Sequence, residues 1–178
     1  MLVIVDNGKG ANEIARFVRT PHTVVKPAEI KNIKAGAFIL SDGDMKHKEH
    51  NIKIIKSAKK PILGIGAGCI FLGAACGAKA KAMKFGRQEK IKIERPCPLV
   101  LDLKKMFTVF KACSSGFADL PEGFTVIASS QKYEFEIIQH NEKPFFGVQF
   151  NPELGADGLR ILGNFEKFVE IWQKYHNG

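Results

Sequence analysis

The chain has 178 residues, with 27 Lys and Arg against 18 Asp and Glu, so its formal net charge at pH 7 is +9. This length predicts a single domain over residues 1–178, with a sizeable core, rather than two independent domains. Hydrophobic residues make up 45% and charged residues 25% of the chain, which excludes a disordered, collagen-like or linker-dominated protein. The positive charge comes mostly from Lys, and it indicates either a solvated surface or an acidic partner.

The cysteines and the apolar segments bear on compartment and membrane association. The four cysteines show no CxxC spacing, and Met1–Asp6 lacks a basic region followed by a long apolar run. We therefore expect a cytoplasmic protein with free thiols. The uncharged segment Pro61–Ala78 just reaches the length of a membrane span. Its five glycines and its proline divide it into strand, turn and helix, so it predicts buried core and no membrane association.

Apolar runs and helical patterns alternate in the first half of the chain. Apolar runs predict strands at Leu2–Val5, His22–Val25, Ala37–Leu40 and Pro61–Ile65. Helical patterns predict a helix through Ile14, Phe17 and Val18, a link around Ala28–Lys31, a polar helix over 47–58 that buries Ile52 and Ile55, and a small-residue helix over Ala67–Cys76. Such alternation predicts a mostly parallel sheet with helices on both faces, which is an α/β fold.

The second half of the chain has a different pattern. Lys90–Glu94 and Tyr133–Ile137 alternate apolar and charged residues, which predicts antiparallel strands with one buried and one wet face. Phe145–Phe150 is predicted to be the last strand. The apolar stripe of a closing helix is formed by Leu162, Phe165, Val169 and Trp172. We therefore expect a small antiparallel sheet in addition to the parallel one.

Three segments stand where predicted parallel strands end, which is where open α/β sheets place their sites. They are Phe38–Asp44, Pro61–Cys69 and Gly147–Glu153. The second contains Gly-x-Gly-x-Gly between a strand and a helix. A dinucleotide fingerprint would need another Gly where Cys69 stands and normally follows the first strand. A nucleophile elbow, G-x-Nuc-x-G, fits the spacing better and puts Gly66 at the nucleophile position.

In this order and spacing the three segments resemble the class I glutamine amidotransferases, especially the separate glutaminase subunits of archaeal GMP synthases. Val5–Gly8, Leu120–Phe124 and the terminal helix share the resemblance, which covers nearly the whole chain. It implies a flavodoxin-like fold and glutamine hydrolysis. In the family, a Cys attacks the amide, a His acts as its base and a Glu orients the His. The resemblance also implies an ATP-dependent synthetase partner, and we expect no cofactor or metal.

The family motifs are L-S-G-G-P, G-I-C-x-G-H-Q and V-Q-F-H-P-E. The resemblance places Gly66 at the Cys position, Asn151 at the His position and Glu153 at the Glu position, and Ile70 replaces the Gln of the elbow helix. Gly forms no thioester, and an Asn amide accepts no proton near neutral pH. Asp42 in the glycine loop would also repel an oxyanion. We therefore predict that the Cys-His catalytic pair is lacking and that the protein is non-catalytic, binding a partner or a small ligand. The pocket candidates are Ser41, Asp42, Gly43, Ala67, Gly68, Cys69 and Gln149.

One alternative is an enzyme of altered chemistry. Cys69 or Cys113 would then act as a relocated thiol nucleophile. Alternatively, Cys69 and Cys113 together would hold a metal ion. A cation held by an acidic cluster of Asp42, Asp44 and Glu153 is the other version of this alternative.

The second alternative is a basic nucleic-acid-binding module. Lys-rich stretches surround the polar helix and follow the small-residue helix, but Phe85 is the only aromatic residue in the second stretch that could stack on a base. An acidic protein surface fits the same charge at least as well.

Overall fold

The protein is described by a computed structural model over residues 1–30 and 34–176, in which nine strands form one mixed sheet. The strands are β1 (Leu2–Val5), β2 (Gly8–Lys9), β3 (His22–Val25), β4 (Ala37–Leu40), β5 (Asp42–Gly43), β6 (Ile62–Ile65), β7 (Ala80–Ala82), β8 (Gln88–Ile93), β9 (Met106–Phe110), β10 (Ser115–Phe117), β11 (Phe124–Ser129), β12 (Ile137–His140) and β13 (Phe145–Val148). The helices are α1 (Ala11–Phe17), α2 (Lys48–Ser57), α3 (Ala67–Ala75) and α4 (Ala156–His176). Short 3-10 turns lie at Pro27–Glu29, Met45–His47, Pro98–Val100 and Pro152–Leu154.

The parallel half of the sheet has the order β3-β1-β4-β6-β13. This is the flavodoxin-like order, in which the chain first moves outward from β1 and then crosses back to its other side. Strands β1, β4, β6 and β13 are buried along their whole length, as expected for continuous apolar runs covered on both faces. The predicted α/β fold class is therefore confirmed, and the carboxyl ends of these strands share one edge.

Helices cover both faces of the parallel half. Helices α1 and α4 pack on one face, where Ile14 and Phe165 are fully buried. Helices α2 and α3 pack on the other face through Ile55 and Phe71. Both cores extend under the carboxyl edge, so the loops at that edge rest on a rigid base.

The antiparallel strands continue the same sheet in the order β13-β12-β11-β8-β9. The free edge of β9 is covered by the segment that follows β13. The Thr108 N–H donates to Asp157 Oδ2 at 3.1 Å, and the Asn151 N–H donates to the Phe110 carbonyl at 2.8 Å. Two short antiparallel pairs, β2 with β5 and β7 with β10, lie outside the main sheet. The predicted antiparallel component is thus present, mostly as an extension of the parallel sheet.

The predicted strand at Tyr133–Ile137 is wrong for all but its last residue, because β12 begins at Ile137. The alternating charges in this segment are not on a wet face. Glu136 is fully buried and lies 2.6 Å from the Nζ of Lys111, which is also buried. The Tyr133 hydroxyl accepts a hydrogen bond from the Phe117 N–H at 2.7 Å. Residues 133–136 therefore form a loop that is held by side-chain contacts.

Smaller differences follow from helix register and length. Helix α2 buries Ile54 with Ile55, whereas Ile52 is only partly buried, since positions 51, 54, 55 and 58 share one helical face. In the predicted link Ala28–Lys31, a 3-10 turn covers Pro27–Glu29, and Lys31 lies outside the described residues. In residues 1–30 and 34–176, no helix is both long and apolar enough to cross a bilayer.

We predict that Lys111→Met lowers the free energy of unfolding by about 3–5 kcal/mol, because it leaves Glu136 as an uncompensated buried charge. The double variant Lys111→Met/Glu136→Leu should recover most of this loss, since it removes both charges. Urea unfolding followed by circular dichroism measures both effects.

The matched control for this pair is Lys174→Met. Lys174 pairs with Glu170 at 2.9 Å on the exposed surface of α4. The urea unfolding midpoint of the Lys174→Met variant should therefore equal that of the wild type. Equal effects of the two single substitutions would contradict a buried ion pair at Lys111.

Candidate functional site

The candidate site lies where the parallel strands end. The chain changes its direction across the sheet between β1 and β4, and open α/β sheets bind ligands outside the carboxyl ends of strands at such a point. The loops after β1, β4, β6 and β13 meet here. They carry Asp42, Gly66, Asn151 and Glu153, whereas Gly68, Cys69 and Ile70 lie in the first turn of α3.

Gly66 forms the turn between β6 and α3, with φ +53° and ψ −112°. A side chain is strained in this backbone conformation. It would also have no room, since a Cβ on Gly66 would overlap the Asp42 carboxylate and lie 2.6 Å from Asp42 Cγ. Gly66 is thus the residue that lets Asp42 approach the turn.

The Asp42 side chain fills the space in front of this turn. It is 3% exposed, and its Oδ1 accepts a hydrogen bond from the Ala67 N–H at 2.8 Å. Ala67 is the first residue of α3, so the carboxylate also benefits from the partial positive charge of the helix N-terminus. In a nucleophile elbow, the N–H after the central residue is an oxyanion donor.

Asn151 links Asp42 to Glu153. Its Nδ2 donates to Asp42 Oδ2 at 3.4 Å and to Glu153 Oε1 at 3.2 Å. Its Oδ1 accepts from the Ala112 N–H at 2.7 Å. Both hydrogens of the amide are therefore directed at carboxylates.

Glu153 is 8% exposed, and its Oε2 has no hydrogen-bond partner among the described residues. Burial raises the pKa of Glu153 to about 7, although hydrogen bonds from its own backbone and from Asn151 act in the opposite direction. The nearby carboxylates of Asp42 and Glu13 add to the increase. Near neutral pH, the Glu153 carboxyl group is therefore partly protonated.

A second polar network supports the glycine loop. Ser41 Oγ accepts from the Asn7 N–H at 2.9 Å and donates to the Asp42 carbonyl at 3.0 Å. The amides of Asn7 and Asn51 bond to each other, with the Asn51 Nδ2 2.7 Å from the Asn7 Oδ1. Gly43 is needed because a Cβ there would overlap the Asn7 carbonyl. Sequence reasoning missed Asn7 and Asn51 as structural parts of the site. Asn7 lies two residues after the end of β1, whereas Asn51 lies within a polar helix that gave no such signal.

Most of the predicted pocket residues are buried together and do not face solvent. Among them only Gly43 is partly exposed. The buried set is Ser41, Asp42, Ala67, Gly68, Cys69 and Gln149. The structure thus brings the residues together as a packed cluster beneath the loops.

The two thiols of the altered-chemistry alternative are both shielded. Cys69 is fully buried, and burial raises the pKa of its thiol well above the ordinary value. Burial also raises the pKa of Cys113 to about 11, and the Asp42 charge contributes to this increase. The Cys113 Sγ donates to the Gln149 carbonyl at 3.3 Å. Both thiols are therefore protonated near neutral pH and are poor nucleophiles.

The acidic cluster is only partly assembled. Asp42 and Glu153 are linked through Asn151, but Asp44 lies at the surface, where it pairs with Lys46 at 3.3 Å. Within the described part of the chain, no group of three His, Cys, Asp or Glu residues is placed to hold a metal ion.

The Lys-rich stretches are solvent-exposed, but their aromatic residue is engaged. Phe85 packs edge-to-face on Tyr133 with 5.4 Å between ring centroids, and the Lys111 Nζ lies 3.9 Å from the Phe85 centroid. A ring held in this way is not free to stack on a base.

An open cleft of about 550 Å³ adjoins the buried cluster. It lies between the loop after β1, Ala112 and the turn that contains Asn151 and Glu153. A second groove of about 610 Å³ lies between the end of α1 and helix α4, and it contains none of the predicted site residues. Because chemistry-bearing side chains line the first space, we take it as the functional cleft.

Comparison with known proteins settles the family. A sequence model of the family "Glutamine amidotransferase class-I" matches residues 3–168. The chain belongs to the class I glutamine amidotransferases. A glutamine-hydrolyzing GMP synthase subunit from Methanocaldococcus jannaschii is 30% identical, with 94% of this chain and 96% of that protein aligned. The corresponding protein of Methanococcus aeolicus is 32% identical over the same shares of the two chains.

Solved structures share the fold of this chain. The crystal structure of a putative GMP synthase subunit from Thermoplasma acidophilum superposes with a TM-score of 0.90 at 22% identity, covering 99% of this chain and 97% of that chain. A glutamine amidotransferase from Thermotoga maritima gives a TM-score of 0.72 at 16% identity, covering 99% and 84% of the two chains. At these identities the superpositions show the fold of this amidotransferase family member.

The unusual pKa of Glu153 predicts a pH-dependent stability. Because the folded protein keeps a proton on Glu153 that the unfolded chain loses above its ordinary pKa of 4.5, the stability gained from this group is lost as the pH rises through 7. Between pH 5 and pH 8 the wild type should lose about 2–3 kcal/mol more than Glu153→Gln. Urea unfolding at both pH values measures the difference. Glu142→Gln, at an exposed position, is the control and should behave as the wild type; parallel pH profiles for wild type and Glu153→Gln would contradict the raised pKa.

Proposed function

We propose that residues 1–178 act as one class I amidotransferase domain that does not hydrolyse glutamine and that works by binding a partner or a small ligand. The observation that carries this proposal is the position of the Asp42 carboxylate. It occupies the space that a side chain on Gly66 would need, and it accepts the hydrogen bond of the Ala67 N–H.

Each step of the family reaction lacks its group in this site. Amide hydrolysis through a thioester needs a nucleophile at position 66, where Gly has no side chain. It also needs a base, and the Asn151 amide directs both of its hydrogens at carboxylates. The developing oxyanion would meet the Asp42 carboxylate in place of a free donor, and charge repulsion would raise the barrier.

Glutamine hydrolysis measured with and without an ATP-dependent synthetase tests the proposal. We expect no turnover above the uncatalysed background. The GMP synthase subunit from Methanocaldococcus jannaschii provides the positive control under the same conditions. Turnover comparable to that of the control would refute the proposal.

A rescue series tests whether Asp42 is the obstacle. Gly66→Cys/Asn151→His restores the nucleophile and the base, but we expect little activity because the new side chain collides with Asp42. Adding Asp42→Gly should increase covalent labelling of the new Cys by a diazoketone analogue of glutamine, as measured by intact-protein mass spectrometry. Equal labelling of the double and triple variants would show that Asp42 does not block the site. Folding of each variant is checked by its thermal midpoint.

The partner that fits best is an ATP-dependent synthetase-like protein. Both sequence relatives compared above are named as one subunit of a GMP synthase, and the Lys-rich surface would favour an acidic partner face. We expect a complex with the synthetase from the same organism that weakens between 50 and 500 mM salt, because screening reduces the attraction. Size-exclusion chromatography with light scattering measures it. Absence of a complex at the lowest salt would exclude this partner.

A further inference from the structure

The groove between the end of α1 and helix α4, about 610 Å³ in volume, is separate from the functional cleft, because none of the described residues lines both. Its apolar lining includes Phe17, which is 45% exposed, and the partly buried Leu159 of α4. Glu166 of α4 joins the two walls, since its Oε1 accepts from the backbone N–H groups of Arg19 and Thr20 at 2.8 and 2.7 Å. These hydrogen bonds fix the walls of the groove relative to each other.

Gly163 is a residue of this groove that the packing of the chain does not explain. It lies inside α4, and a Cβ there would meet no atom of the described residues within 4 Å, apart from the adjoining helix backbone. Gly158 of the same helix differs, because a Cβ there would overlap the Pro152 carbonyl. Gly within a helix is destabilising relative to Ala, and one use of it is to let a ligand approach the backbone closely. Gly163 therefore suits an occupant that packs directly on α4.

The rim of the groove carries positive charge without acidic partners. Three cations line it at exposed positions: Arg19, Arg160 and Lys167. None of them forms a salt bridge with a described residue. The two carboxylates of the lining are engaged, Glu166 by the N–H groups of the opposite wall and Glu170 by Lys174 at 2.9 Å. The groove thus complements an apolar surface that is bordered by carboxylates.

The length and shape of the groove distinguish between occupants. Along α4 its lining includes Leu159, Gly163, Lys167, Glu170 and Gln173, which lie three or four positions apart and span about 21 Å at the rise of an α-helix. An amphipathic helix that packs into a groove presents an apolar stripe with the same spacing. A bilayer surface is flat and does not enter a groove, and a second copy of the chain would bring another +9 to a positive rim. An acidic helix from another protein fits best.

We propose that the groove between α1 and α4 binds an amphipathic helix of an acidic protein partner. Apolar side chains of that helix pack on Phe17 and Leu159, its backbone passes close to Gly163, and its flanking carboxylates lie near Arg19 and Lys167. The proposal goes beyond the function proposed above and depends neither on glutamine hydrolysis nor on a synthetase.

The test uses a fluorescein-labelled peptide of about 14 residues, which as a helix is about as long as the groove. Its Leu residues form one stripe at helical spacing, and its other positions are Glu and Ala. Fluorescence anisotropy should show saturable binding to the full-length protein. One control peptide has Lys in place of Glu, and the other has the same composition in an order that breaks the stripe. Both should bind at least tenfold more weakly. Equal binding of either control, or no saturable binding of the acidic peptide, would overturn the proposal.

Gly163→Leu fills the groove without changing the charge of the protein. We expect the Kd of the acidic peptide to rise at least tenfold. The urea unfolding midpoint should equal or exceed that of the wild type, because Leu has a higher helix propensity than Gly. Gly163→Ala should increase the midpoint and raise the Kd by a smaller factor. Unchanged affinity in a folded Gly163→Leu variant would show that the peptide binds elsewhere, and the proposal would be wrong.

A matched pair of charge reversals separates the groove from general attraction to a basic protein, and it remains informative if Gly163→Leu folds poorly. Lys167 and Lys53 are both exposed helical residues, but Lys53 lies on α2, which covers the other face of the sheet. Lys167→Glu should weaken binding of the acidic peptide about fivefold, and Lys53→Glu less than about twofold. Equal effects of the two substitutions would contradict binding in the groove.

Two further measurements detect the other occupants. A dimer of the protein alone that Gly163→Leu dissociates, as seen by light scattering, would assign the groove to a second copy. Displacement of the bound peptide by phosphatidylserine vesicles would assign it to a membrane surface. Either result would overturn the proposal. Because no glutamine and no synthetase are present, these outcomes leave the proposal on glutaminase activity untouched.

Discussion

The contact between the Asp42 carboxylate and the Ala67 N–H determines what the other site residues must be. Burying a carboxylate costs free energy unless its oxygens are hydrogen-bonded, and both oxygens of Asp42 have a donor. One oxygen uses the first N–H of α3 at 2.8 Å, and the other accepts from Asn151. Because the carboxylate stands against the elbow turn, position 66 has no room for a side chain. Asp42 therefore links Gly66, which leaves room for its carboxylate, with Asn151, which donates a hydrogen bond to it.

An amide suits position 151 better than an imidazole would in this arrangement. The Asn Nδ2 carries two hydrogens and serves two carboxylates at once, whereas a neutral imidazole has a single N–H. The amide brings no charge, however, so Asp42 and Glu153 still repel each other. The repulsion contributes to the raised pKa of Glu153, in addition to its burial. The two carboxylates are thus joined by a neutral amide, and no positive charge stands between them.

Local signals in the sequence were sufficient for the parallel half of the fold and for the position of the site. Short apolar runs such as Leu2–Val5, bounded by polar residues, are typical of strands buried on both faces. The antiparallel half was harder, since β9 and β11 were missed although their β-branched and aromatic residues are typical of strands. The alternation at residues 133–137 suggested solvent exposure because the partner of Glu136 lies 25 positions away. Likewise, only the fold shows that the Asp42 side chain fills the elbow.

The loop after β9 orients the Asn151 amide. Lys111 is the first residue of this loop and is paired with Glu136 in the interior, and Ala112 comes next in the chain. The Ala112 N–H can only donate, so it selects the oxygen of the Asn151 amide and turns the NH₂ group toward the two carboxylates. Cys113 continues the same loop and bonds to the Gln149 carbonyl. The backbone N–H that directly follows Lys111 therefore sets which way the Asn151 amide points, and with it which atoms face the two carboxylates.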